Sequence, residues 1–166
     1  GGRFLFYFSG HGSYSQFNNT GYLWLSDNQP GNTHRAIPMD DIARWAEKGV
    51  SRAHQSLFLV DACVSGVTGL ELQSNRAAAD PKRAEDPAKL LKGRDSRLLT
   101  AGTGKQETVA HRKYHGSVFN MAVMEALRAG EADSNRDGLI TTPELALYVK
   151  QRVEVETGHG QTPQAF

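Results

Sequence analysis

Two residues able to do nucleophilic chemistry stand in matched surroundings. His11 follows the apolar run Phe4-Leu5-Phe6-Tyr7-Phe8 across Ser9-Gly10 and precedes Gly12; Cys63, the sole cysteine, follows Ser56-Leu57-Phe58-Leu59-Val60 across Asp61-Ala62 and precedes Val64-Ser65-Gly66. A thiol with an unperturbed pKa of about 8.5 is mostly protonated at neutral pH, and an imidazole that takes its proton makes it a nucleophile. Each apolar run predicts a buried strand ended by a short polar turn. In an open parallel sheet, reacting residues gather beyond the carboxyl ends of the strands, where the loops share one crevice. Adjacent strands would therefore bring imidazole and thiol to one rim, and the flanking glycines leave room for a substrate backbone. Taken singly, a cysteine after a strand is a small buried hydrophobe and a lone histidine is a hydrogen-bonding group of the fold. The repeated context favours a catalytic pair, because core packing gives no reason to build both strand ends alike.

A second constellation lies between Asp133 and Glu144. Asp133, Asn135, Asp137, Thr141 and Glu144 put side-chain oxygens at positions 1, 3, 5, 9 and 12 of an EF-hand-like loop, with Gly138 at position 6 and the carbonyl of Leu139 at position 7. Such a set suits a hard cation, so Ca²⁺ is the one cofactor expected. The alternative is a polar turn between helices, with Glu144 near a helix start and favourable to its dipole without metal. The sequence holds no second loop of this kind for Ile140 to pair with.

Elements must hold these groups in place. The two apolar runs predict strands, and Arg97-Leu98-Leu99-Thr100-Ala101-Gly102 predicts a third, with a short extra strand at Tyr22-Leu23-Trp24-Leu25. Pro38-Met39-Asp40-Asp41 starts an amphipathic helix through about Lys48, with Ile42, Trp45 and Ala46 on one face. Gly116-Ser117 leads into a helix carrying Phe119, Val123, Met124 and Leu127. A further helix runs from Pro143 to about Val155 with Leu145, Tyr148, Val149 and Val153 inward. Residues 73–93 read as an exposed charged loop, and residues 157–166 as a tail wrapping the surface. Strands alternating with helices imply an α/β fold.

With 166 residues, 39% hydrophobic and 22% charged, the chain suits one domain. Lys+Arg 19 against Asp+Glu 18 leaves a formal charge of +1, which supplies no basic field for nucleic acid or for an acidic membrane surface. One cysteine excludes an internal disulfide and a four-cysteine zinc site. No apolar run approaches the roughly 20 residues of a membrane span, and no basic stretch precedes the first apolar run. The expectation is a soluble, cytoplasmic protein with no nucleic-acid or membrane partner, and the opening Gly1-Gly2-Arg3 suggests a fragment or processing product.

The segments FLFYFSGHG (Phe4–Gly12) and SLFLVDACVSG (Ser56–Gly66) resemble the His and Cys blocks of the caspase-like cysteine peptidases, in particular the bacterial metacaspase-like (orthocaspase) branch, including the family's spacing of about 50 residues between the two. Weaker similarity continues through Leu98–Gly102, Gly116–Phe119 and Ala132–Glu144. The resemblance implies a caspase-like three-layer α/β sandwich with a mostly parallel sheet. It implies Cys63 as nucleophile, His11 as general acid/base, and the backbone amides of Gly12 and Cys63 as the oxyanion site. It also implies Ser9 and Asp61 as lining of the primary specificity pocket, where a carboxylate favours Arg or Lys before the scissile bond; the alternative for Asp61 is a turn or cap residue. Val64 stands where the family usually has His. The family's sheet begins with strands ahead of the His strand, and this sequence has none. The chain is therefore expected to be the carboxyl-terminal portion, residues 1–166, of a single peptidase domain, whose partners are a protein or peptide substrate and the missing amino-terminal segment. The implied activity is that of a cysteine endopeptidase cleaving after Arg or Lys, without a cofactor for catalysis, and processing itself in the charged loop. The competing expectations are a catalytically silent binding module and a peptidase of non-basic specificity.

Overall fold

The structure is a computed structural model that describes residues 2–15, 17–18, 20–28, 32–48, 53–62, 95–102, 106, 108–111 and 116–165. Its centre is a sheet in the order β1-β5-β6-β9, in which β1 (Gly2–Gly10), β5 (Ala53–Ala62) and β6 (Asp95–Thr100) run parallel and β9 (Gln164–Ala165) is antiparallel to β6. A small antiparallel sheet of β2 (Gly12–Ser15), β3 (Thr20–Leu23) and β4 (Ile37–Pro38) follows β1 directly, and β7 (Ala110–His111) pairs with β8 (Gly116–Ser117).

Parallel strands are stable when both faces are covered, and successive side chains point to opposite faces. On one face Phe58, Val60 and Leu98 meet Met39, Ile42 and Ala46 of α1 (Met39–Lys48), together with Leu23. On the other, Leu59 and Leu99 meet α2 (Val118–Arg128) and α3 (Thr142–Glu156) through Phe119, Ala122, Val123, Leu145, Val149 and Val153. Each fully buried Leu, Val or Phe in these layers is worth about 1.5–3 kcal/mol. The result is a three-layer α/β/α sandwich with a mostly parallel sheet, as expected. No helix among the described residues is long and apolar enough to cross a membrane.

Both long helices start where their sequences dictate. Ser117 caps α2, its hydroxyl accepting from the amide of Asn120 at 2.9 Å. Thr141 caps α3 in a capping box with Glu144, and Pro143 occupies the first turn, where its missing N–H costs nothing. The two helices are tied by Arg152 to Glu125 at 2.8 Å, and the Tyr148 hydroxyl of α3 donates to Glu131, just beyond α2, at 2.6 Å. Burial and the Glu131 carboxylate push Tyr148 up to about 12.

Several expectations are corrected. The Phe4–Phe8 run is not buried on both faces: Phe4, Phe6 and Phe8 pack toward the α1 layer, while Leu5 and Tyr7 are 61% and 43% exposed. Among the described residues β1 is the edge of the sheet, and α2 and α3 cover only β5 and β6. Ser9-Gly10 is strand rather than turn, and only His11 separates β1 from β2. Asp61 and Ala62 likewise belong to β5. Trp45 is 43% exposed; Ile42 and Ala46 are buried as expected, and Met39 and Ala43 join them. Leu127 is exposed and Met124 half-buried, because α2 turns Phe119, Ala122, Val123 and Ala126 inward. The strand expected at Tyr22–Leu25 ends at Leu23. The tail does not merely wrap the surface: Gln161 is fully buried, and Gln164 and Ala165 add a strand to the sheet. The loop expected at 73–93 lies outside the described residues.

Candidate functional site

β1 and β5 are in continuous parallel register from Arg3↔Gln55 to Gly10↔Ala62. The last pair matters most, because His11 is the residue after Gly10 and Cys63 is the residue after Ala62. His11 is exposed and lies between β1 and β2, at the carboxyl end of the sheet. Its carbonyl accepts from the amide of Trp24 at 2.9 Å, which anchors the backbone at this point to the end of β3. That bond makes His11 and Trp24 a hydrogen-bonded pair, so the neighbouring Gly12–Leu23 pair is the alternate, non-bonded kind and the Gly12 N–H points away from β3. A Cβ on Gly10 would meet the Phe8 ring at 3.1 Å, so the strand end is packed closely around a glycine. Cys63 itself lies outside the described residues.

Ser9 and Asp61 are register partners, and their side chains meet. The Ser9 hydroxyl donates to Asp61 Oδ2 at 3.0 Å, and the Ser117 hydroxyl donates to the same oxygen at 2.5 Å. Asp61 is 2% exposed, and its Oδ1 is buried with no hydrogen-bond partner. Burial raises the Asp61 pKa above the usual carboxylate range, against the opposing influence of the Ser117, Ser9 and Tyr7 hydroxyls near it. Tyr7 is raised in turn, by its own burial and by the charge of Asp61. A buried carboxylate with one oxygen held by two hydroxyls and the other unmet is costly for the fold alone, since an unpaired buried acceptor forfeits its hydration. It is well made to receive a cationic donor.

Ser117 and Tyr7 are the residues that sequence reasoning passed over. Ser117 was read only as part of the lead into a helix at Gly116-Ser117, and nothing in the sequence aims its hydroxyl across to β5. Tyr7 was read as core.

The acidic loop is folded upon its own backbone. Asp133 Oδ1 and Oδ2 accept from the amides of Asp137 and Gly138, Asn135 Oδ1 accepts from Asp137, and Asp137 Oδ1 accepts from Leu139, all at 2.9–3.1 Å. Gly138 takes φ +85°, a left-handed conformation that costs glycine nothing. Glu144, 2% exposed, is turned into the capping box: Oε1 accepts from Ser134, and Oε2 from the amide and hydroxyl of Thr141 at 2.9 and 2.8 Å. Burial pushes Glu144 up, but these bonds outweigh it and its pKa is lowered overall. Among the described residues no three His, Cys, Asp or Glu side chains converge on a metal position. The donors nonetheless suit a hard cation in kind, and Asp137 Oδ2 is buried without a partner.

The class that this architecture defines is a three-layer α/β/α protein with a mostly parallel sheet, in which His11 follows β1, the edge strand among the described residues, and Cys63 follows the paired strand β5 in the sequence. The sequence of residues 2–166 matches the model of the caspase domain, peptidase C14. The chain belongs to that family, whose members are cysteine peptidases. No curated protein matches the sequence.

Proposed function

We propose that this chain is the catalytic portion of a cysteine endopeptidase that uses His11 and Cys63 as a dyad and cleaves after Arg or Lys, on the metacaspase-like branch of the family. The observation that carries the reading is the Gly10↔Ala62 register pair, from which the chain continues into His11 on one strand and Cys63 on the next. His11 takes the thiol proton, and the Cys63 thiolate attacks the carbonyl carbon of the scissile bond. The Gly12 and Cys63 amides receive the oxyanion, a role for which the Gly12 N–H is suited by pointing away from β3. The imidazolium then protonates the leaving amine, leaving a thioester. Water, deprotonated by His11, hydrolyses that thioester and restores the thiol. The thiol and imidazole between them supply this chemistry without a cofactor.

Basic specificity is supported by the unpartnered Asp61 Oδ1, which a guanidinium or ammonium would satisfy, with Ser9 and Ser117 holding Oδ2. The test is labelling by an electrophilic peptide ending in Arg, compared with one ending in Asp, in the wild-type, Cys63→Ala and His11→Ala proteins. Labelling by the Arg probe alone, lost in Cys63→Ala, is expected. Preferential labelling by the Asp probe would transfer the enzyme to another specificity. No labelling and no peptide hydrolysis by folded wild type would make the domain a binding module.

We also infer that the Asp133–Glu144 loop takes Ca²⁺, a reading supported by the buried, unpartnered Asp137 Oδ2. Asp133, Asn135, Asp137, Thr141, Glu144 and the Leu139 carbonyl are the donors, and Glu144 must leave its capping contacts to join them. A further strand of the same domain is inferred to dock on the outer edge of β1, supported by the absence of a neighbour on that side among the described residues, while the exposed Leu5 and Tyr7 leave room for cover on the face.

A further inference from the structure

The turn after α3 carries a buried polar side chain that this chemistry does not use. Gln161 is 0% exposed, and both atoms of its amide are engaged: Nε2 donates to the Ala101 carbonyl at 2.7 Å, and Oε1 accepts from the Val109 amide at 2.9 Å. The contact is reciprocated, since Gln106 Oε1 accepts from the Thr162 amide at 2.9 Å. The Gln161 backbone is held from behind by Thr157, whose Oγ1 accepts from the Gln161 amide at 3.1 Å. A buried amide whose nitrogen and oxygen are each bonded to backbone is held in place, because displacement leaves a buried donor and acceptor unmet.

Ala101 and Val109 both lead to Asp61. The Ala101 amide donates to the carbonyl of Val60, the residue before Asp61, at 2.9 Å. The Val109 carbonyl accepts from Val118 at 2.9 Å, and the next residue, Ala110, is paired with Ser117. Ser117 is the hydroxyl that reaches Asp61 from across the sheet. One side chain from the tail thus joins the exit of β6, beside the carboxylate, to the entry of the strand pair that delivers the donor.

On the reading that Asp61 lines the specificity pocket, we propose that Gln161 is a positioning residue for that pocket: by pinning Ala101 to Val109 it sets where Ser117 stands relative to Asp61. A glutamine that merely secured the tail would leave the Ser117–Asp61 contact unchanged when removed.

Two variants separate these cases. Gln161→Leu removes both bonds, and Gln161→Glu keeps the acceptor for Val109 while removing donation to Ala101. In each, amide hydrogen exchange at Val109, Val118 and Asn120 and the NMR titration of the Asp61 carboxyl are followed, beside the steady-state kinetics of an Arg-containing peptide. The proposal expects exchange at Val118 and Asn120 to quicken roughly tenfold in Gln161→Leu. It expects the Asp61 titration to move upward as the Ser117 bond loosens, and KM to rise roughly 5- to 10-fold with kcat changed less than about twofold. Faster exchange confined to Val109, with Asp61 titrating as in wild type, overturns it. If wild type cleaves no peptide, the peptidase reading falls, while exchange and titration still decide whether Gln161 positions Ser117 against Asp61. If Gln161→Leu does not fold, Gln161→Glu decides on the same two readouts, with a smaller expected change of the same sign.

Discussion

Replacing Asp61 with Asn exchanges a buried carboxyl for an amide of nearly the same shape. The amide oxygen can still accept from Ser9 and Ser117, so the two contacts at 3.0 and 2.5 Å have a counterpart in the variant. What disappears is the negative charge and the free acceptor at Oδ1. A hydrogen bond to a charged group is worth about 1.5–3 kcal/mol, so kcat/KM for Arg and Lys peptides should fall roughly 10- to 150-fold while a peptide with a neutral residue there changes little. Stability should move the other way. The folded pKa of Asp61 is raised above its ordinary value of 3.8, so its contribution is fully present below that value and is lost as pH rises through the folded pKa, where the carboxyl must ionise out of water. Asp61→Asn, which never ionises, should therefore gain on wild type in thermal unfolding as the pH goes from about 4 to 7. Peptide kinetics and calorimetry across that range check both halves. An Asn variant that loses more stability at neutral than at acid pH would refute the argument from burial, and an equal loss of activity on every peptide would refute the pocket.

Ser117→Ala should cost about 1–2 kcal/mol through the lost cap, whereas Ser117→Gly should lose only a few tenths from capping, and the two should weaken Arg preference alike because both remove the donor to Asp61. Thermal unfolding beside peptide kinetics separates cap from pocket. Roughly millimolar Ca²⁺ should raise the Tm of wild type and not that of Asp133→Ala or Glu144→Ala, and an unshifted wild type would make the loop a plain capped turn. Active protein should acquire new ends after Arg or Lys between Arg76 and Arg94, read by intact mass; a segment left uncut in fully active enzyme would separate activity from processing.

What the sequence determined by itself was local. The two apolar runs leading to Ser-Gly-His-Gly and Asp-Ala-Cys identify two strands of a parallel sheet, because an unbroken apolar run of this length suits a strand packed in the interior of an α/β layer. Pro143 and Glu144 mark the start of α3, because a proline suits the first helical turn and a carboxylate there favours the helix dipole. The matched contexts of His11 and Cys63 led to the expectation of one shared rim, and the β1–β5 register follows that expectation as far as Gly10↔Ala62. Where each run is covered was decided by tertiary structure alone: the Phe4–Phe8 run is bare on its Leu5 and Tyr7 side because α2 and α3 stop at β5, and no periodicity encodes how far a helix layer reaches. The same holds for Asp61. Its donors come from Ser9, 52 residues away, and Ser117, 56 residues away, and its exit is braced by Gln161 through Ala101, 60 residues from it. Such contacts form only when distant segments are brought together by burial of the apolar layers, and the serine that caps α2 acquires its second task there.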